Sequence, residues 1–154
     1  MKKLALGTLA AAIALTTVST PAAAQLREYE DYEYSDSVVE LTTVRVDPGQ
    51  MDTYLEGLRQ TWVAANEVAK GLGHIEDYGI YANMAPAGDS FHLLLVIEFP
   101  GENLQPSRAR YDAFMTAWGN ANMESSNETV TNLYNEIREI GGVYLTREIE
   151  MMPN

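Results

Sequence analysis

Residues 91–99 read FHLLLVIEF, with apolar side chains at Phe91, Leu93, Leu94, Leu95, Val96, Ile97 and Phe99. Successive side chains of a strand point to opposite faces, so a strand that is apolar on both must be covered on both. The segment 90–99 is therefore expected as a strand in the middle of a sheet. The rest of the chain has to supply a layer for each of its faces.

The neighbouring pattern supplies one of those layers. Residues 38–46 (VVELTTVRV) are rich in β-branched residues and predict a first strand. They run into Asp47-Pro48-Gly49-Gln50, which reads as a helix start with Asp47 as N-cap, Pro48 at the first helical position and Gln50 closing a capping-box-like pair. Met51, Leu55, Leu58, Trp62, Ala65 and Ala69 then recur at helical spacing as one apolar stripe, until Gly71 and Gly73 end it. Residues 75–83 predict a second strand, joined to the apolar strand by a loop containing Pro86 and Gly88.

A second helix is expected from Ser107, with Tyr111, Phe114 and Trp118 on one stripe and Gly119 weakening its end. A third helical segment is expected to be capped by Ser125 and Glu128, to carry Val130, Leu133, Ile137 and Ile140, and to stop at Gly141-Gly142. Residues 143–149 predict the last strand. The resulting fold class is α+β, a ferredoxin-like βαββαβ arrangement with a four-stranded antiparallel sheet, helices on one face, and the second helix split in two.

The first 24 residues follow a different plan. Lys2 and Lys3 precede an uncharged apolar stretch, and Ala22-Ala23-Ala24 stands before Gln25. That is the layout of a secretory signal peptide cut between Ala24 and Gln25. The apolar stretch falls short of the roughly 20 residues that span a bilayer, and Pro21 interrupts it. The predicted organisation is a signal peptide over 1–24, an acidic disordered leader over 25–37 and one domain over 38–150. The style of the segment is bacterial, so the expected location is periplasmic or secreted, with no membrane contact after cleavage.

The chain has 22 acidic against 10 basic residues and a formal charge of −12, and cleavage would remove two of the lysines. Such a surface repels phosphate backbones and anionic headgroups, so nucleic acid is not an expected partner. Cysteine is absent, which excludes a disulfide, a thiol nucleophile and a thiolate metal site. There is no GxSxG elbow, P-loop or dinucleotide fingerprint.

Three segments carry a family resemblance: VRVDPGQMDTYLEGL over 44–58, HLLLVIEF over 92–99 and RYDAFMTAW over 110–118. In these the chain resembles the dimeric α/β-barrel superfamily of small monooxygenase-like and stress-responsive barrel proteins. The resemblance implies a homodimer whose two sheets pair into a barrel. It places any pocket between sheet and helices or inside the barrel. Haem-degrading members use an asparagine, a tryptophan and a helical histidine. Here Trp62, Asn66, Trp118 and Asn122 lie on predicted helices, but His74 and His92 fall beside or within strands, so no cofactor is expected.

The ligand-pocket candidates are Trp62, Asn66, Tyr78, His92 and Trp118. Each Trp precedes an Asn by four residues on one helix face, which suits core packing and equally a cleft with apolar walls and amide anchors. Tyr78 and Tyr81 are expected on opposite faces of their strand. His74 and His92 are not placed to share a metal ion with nearby carboxylates, so no metal site is expected. The expected function is an exported homodimeric barrel domain that binds a small, partly apolar ligand or a protein partner. The alternative is a cofactor-independent monooxygenase- or isomerase-like enzyme; no residue selects a reaction.

Overall fold

The computed structural model describes residues 25–88 and 90–153; the expected signal segment lies outside them. In chain order the elements are β1 (Tyr32–Tyr34), β2 (Ser37–Val46), α1 (Met51–Leu58), a π-helical segment (Arg59–Val63), α2 (Ala64–Gly71), β3 (Asp77–Ala82) and β4 (Leu93–Pro100). A 3-10 turn (Gly101–Leu104), α3 (Arg108–Trp118), α4 (Asn120–Thr129), a second π-helical segment (Val130–Tyr134), α5 (Asn135–Ile137), β5 (Arg138–Thr146) and β6 (Ile149–Met151) follow. The main sheet has the order β3-β4-β2-β5 and every pair in it is antiparallel. This is the ferredoxin-like α+β arrangement the sequence predicts, with the apolar strand β4 in the interior of the sheet.

Register decides which side chains meet. Val44 lies opposite Leu93, and Leu95 lies between Thr42 and Ile80. One sheet face therefore carries Val44, Val46, Leu93, Leu95 and Ile80, and these pack with Tyr54, Leu58, Tyr134 and Ile137 from the helices. Both helical layers sit on that single face. The other face carries Leu41, Thr43, Leu94, Val96, Tyr81 and Tyr144, and no helix among the described residues covers it.

Several local expectations are corrected. Helix α1 starts at Met51 with Gln50 as its N-cap residue and no side-chain cap; Asp47 instead accepts the Gln50 amide through its carbonyl, and Gly49 turns the chain with φ +78°. Helix α4 starts at Asn120, directly after Gly119 at φ +83°, so Ser125 and Glu128 are interior positions. The helix ends at Ile137, where Arg138 turns extended. Gly141-Gly142 consequently lies inside β5, where the register against β2 shifts between Thr43 and Val44. A Cβ on Gly141 would come within 2.9 Å of the Thr43 hydroxyl oxygen, so the glycine allows the bulge to sit against β2.

The acidic segment read as a disordered leader is tied back to the domain. Its β1 pairs antiparallel with β6, Tyr32 opposite Met151 and Tyr34 opposite Ile149. The Ser35 amide donates to the Glu148 carbonyl at 3.0 Å, and the Met152 amide to the Asp31 carbonyl at 2.9 Å. Arg27 forms ion pairs with Glu30 and Asp31 within the turn before β1. No helix among the described residues is long and apolar enough to cross a membrane.

Candidate functional site

The five sequence-predicted pocket residues are each engaged with a different partner. The Trp62 indole meets the Tyr78 ring edge-on at 5.4 Å. Tyr78 donates its hydroxyl to Glu67, and burial first, then Glu67, pushes its pKa up to about 12. The Asn66 side chain is buried and donates from Nδ2 to the Trp62 carbonyl at 2.8 Å. Trp118 is buried and stacks on Phe114 at 6.2 Å. As expected, Tyr78 and Tyr81 take opposite faces, Tyr81 standing on the helix-free side and largely exposed.

His92 has a structural task. Its Nδ1 accepts the Val46 amide at 3.0 Å, while its own amide donates to the Val44 carbonyl at 2.8 Å. Val46 is buried at the end of β2, and the imidazole satisfies an amide that would otherwise lack a partner there. The ring is thus drawn toward the backbone of β2.

The helical layers are clasped by a buried cluster that no motif along the chain announces. Tyr54 and Tyr134 meet edge-to-face at 5.0 Å, and the Arg138 guanidinium carbon lies 5.5 Å and 4.8 Å from their ring centres. Arg138 Nη1 donates to the Tyr54 hydroxyl at 2.9 Å. The Tyr134 hydroxyl shares a 2.8 Å hydrogen bond with Thr61, whose hydroxyl also donates to the Gly57 carbonyl at 2.9 Å. Thr61 and Tyr134 lie in the two π-helical segments, so this bond joins the two places where the helices are locally widened. Burial raises the pKa of both tyrosines; Arg138 opposes it at Tyr54, and Thr61 and then Arg138 oppose it at Tyr134. Every hydroxyl is satisfied, which makes the cluster a fastening for the fold.

A cleft with room for a ligand lies elsewhere, between β4 and α3. It has a volume of about 400 Å³, within the range of small-molecule sites. Ile97 and Phe99 from β4, Ile75 from the approach to β3, and Phe114 from α3 form its apolar wall. His74, Asn103 and Arg110 form its polar end. Local bonds hold that end in place: Asn103 Nδ2 donates to the His74 carbonyl at 3.0 Å, and Arg110 Nη2 donates to the Asn103 carbonyl at 3.0 Å and to the Gln105 carbonyl. Ser107 caps α3 by accepting the Arg110 amide at 3.3 Å. Tyr111 stands at the rim, 56% exposed, which leaves the cleft open to solvent.

Among the described residues no group of three or more histidine, aspartate or glutamate side chains is arranged to hold a metal ion. The β4–α3 cleft is lined by none of Trp62, Asn66, Tyr78, His92 and Trp118; of the α3 stripe, Tyr111 and Phe114 line it. Phe114 was visible as an apolar stripe residue. His74, Asn103 and Arg110 share no motif, because three separate segments bring them together.

No protein-family model matches the chain, and no curated protein does. Solved structures with similar backbones include a Shewanella oneidensis protein, 12% identical, covering 78% of this chain and 99% of its own, with a TM-score of 0.49. HapK from Hahella chejuensis is 14% identical, covers 72% of this chain and 91% of its own, with a TM-score of 0.45. A dimeric protein of unknown function and ferredoxin-like fold from Bacteroides fragilis is 12% identical, covers 77% and 99%, with a TM-score of 0.39.

Proposed function

We propose that this is an exported, homodimeric binding protein that takes a small, partly apolar molecule into the cleft between β4 and α3. The observation that carries the reading is the cleft itself: an apolar wall open to solvent, ending in polar groups held by backbone carbonyls. Export rests on the plan of residues 1–24. The homodimer rests on the helix-free sheet face, where Leu41 lies between Val96 and Tyr144, and Leu94 between Thr43 and Tyr81. Tyr81 and Tyr144 are more than half exposed there, and a second copy would bury them.

The alternative is a cofactor-independent enzyme acting beside Trp62, His92 and Trp118, and it has less support. Such an enzyme needs an acid or base aimed into a sealed space. His92 is occupied by the Val46 amide, and Trp118 is packed away.

The test is an NMR titration of the purified protein with a set of small aromatic compounds. Shifts should concentrate at His74, Phe99, Asn103 and Phe114, and Phe114→Ala should weaken them. Shifts centred on Trp62 and His92, or none at millimolar concentration, would refute the assignment of the cleft.

A further inference from the structure

We infer that the ligand of the β4–α3 cleft is a carboxylate on an apolar body, anchored by Arg110. The inference rests on the proposal that this cleft is the binding site, and goes beyond it by naming the ligand's chemical class.

The first observation is where the acids are not. With 22 acidic residues against 10 basic, most depressions of this surface are lined by carboxylates. Four other surface clefts illustrate it, holding among others Glu124, Glu76, Glu33 and Asp77. The β4–α3 cleft is lined by no carboxylate, and Arg110 and His74 are among its lining residues. In a chain of charge −12, this cleft offers an anion a cation with no carboxylate in the lining beside it.

The second observation is the state of Arg110. The residue is half-buried, and only Nη2 is spent, on the Asn103 and Gln105 carbonyls. Among the described residues Nε and Nη1 take no partner. Two neutral acceptors therefore fix the orientation of the guanidinium without neutralising it. A fixed cation that keeps its Nε–H and Nη1 groups unspent can give a carboxylate a single charge-assisted hydrogen bond, and its pre-organisation reduces the entropy lost on binding. The His74 ring likewise has no partner among the described residues, while its backbone is held by Ala69 and Asn103. It can supply a further donor to the same anion.

The third observation is the size of the charge the cleft can accept. One guanidinium beside Ile75, Ile97, Phe99 and Phe114 suits a single negative charge with a hydrocarbon body. A dianionic phosphate would need more donors than this end provides and would meet more of the chain's own repulsion.

The experiment uses matched probes of one shape, 2-naphthoate, 2-naphthamide and 2-naphthyl phosphate, titrated calorimetrically into the purified protein at low salt. Naphthoate should bind at least about tenfold more tightly than naphthamide, and salt should weaken the naphthoate alone. Arg110→Met should bring the ratio to within about twofold, and Arg110→Lys should retain part of it, because the charge stays and the fixed orientation of the guanidinium is lost. Equal binding of acid and amide overturns the carboxylate class and leaves the cleft assignment standing. Binding of neither overturns both, and tighter binding of the phosphate overturns the choice of anion. The wild-type comparison stands even if Arg110→Met does not fold, and circular dichroism will show whether it does.

Discussion

Gly57→Ala should destabilise the protein, although the same change in an open helix would stabilise it. Gly57 lies in α1 against the Tyr134 ring, and an added Cβ would sit 2.7 Å from both Cε1 and the hydroxyl oxygen of that ring. Carbon atoms pack at about 3.5–4.0 Å, so the ring would have to retreat by about 1 Å. It has nowhere to go: Tyr134 is 2% exposed, its hydroxyl is bonded to Thr61, and Tyr54 and Arg138 lie against its ring. Replacing glycine by alanine in a helix gains about 1 kcal/mol. Overpacking a fixed core costs about 1–3 kcal/mol, and displacing the buried hydroxyl costs about 1 kcal/mol more. The net expectation is a loss of about 1–3 kcal/mol. Urea and thermal denaturation at one fixed protein concentration should show it, with Tm lower by roughly 4–12 °C. In a Tyr134→Ala background the clash is gone, and Gly57→Ala should then stabilise by up to about 1 kcal/mol. The same sign in both backgrounds, or a raised Tm in the single variant, would refute the account of the cluster.

Further outcomes follow from the same contacts. His92→Ala leaves the buried Val46 amide without its 3.0 Å partner, so stability should fall by about 1–3 kcal/mol and hydrogen exchange at Val46 should accelerate. Exchange unchanged at that amide would show the imidazole to be dispensable. Burial holds the Tyr54 and Tyr134 pKa values above the ordinary tyrosine value, so the folded state binds those protons more tightly than the unfolded chain does. Their contribution is therefore fully present below about pH 10 and is lost as pH rises beyond it; denaturation curves between pH 8 and 11 should show stability flat and then falling. Val96→Glu places a charge in the middle of the helix-free sheet face. Light scattering should report a monomer for this variant and a dimer for the wild type, and a monomeric wild type would remove the homodimer proposal.

The sheet was legible because its signals are local. The two-sided apolar run of β4 and the β-branched run of β2 each announce a strand without help from the rest of the chain. Misreadings arose where a distant partner decided the structure. Gly141-Gly142 resembles a helix stop in its own neighbourhood; pairing with Thr43 makes it a bulge in β5. The Tyr-Glu stretch before β2 lacks the aliphatic residues of a stable strand, and its order comes from β6 at the far end of the chain. Trp62 and Trp118 stand out as the largest side chains on their stripes, yet Trp118 is buried and Trp62 is partly buried against Tyr78. Arg110 was in view within RYDAFMTAW, but nothing along the chain shows that its cation stands in an acid-free cleft.

The pairing of β1 with β6 sets the order in which the protein can be completed. The first strand of the described chain finds its partner in the last one made, and the interior strand β2 waits for β5 as well as β4. Contacts of such long sequence separation are closed late and slowly. A nascent chain therefore cannot seal its sheet or anchor its own beginning until residues 138–151 have emerged. Until that moment β2 has an open edge and β1 has no partner, so the last strands act as the latch that closes both.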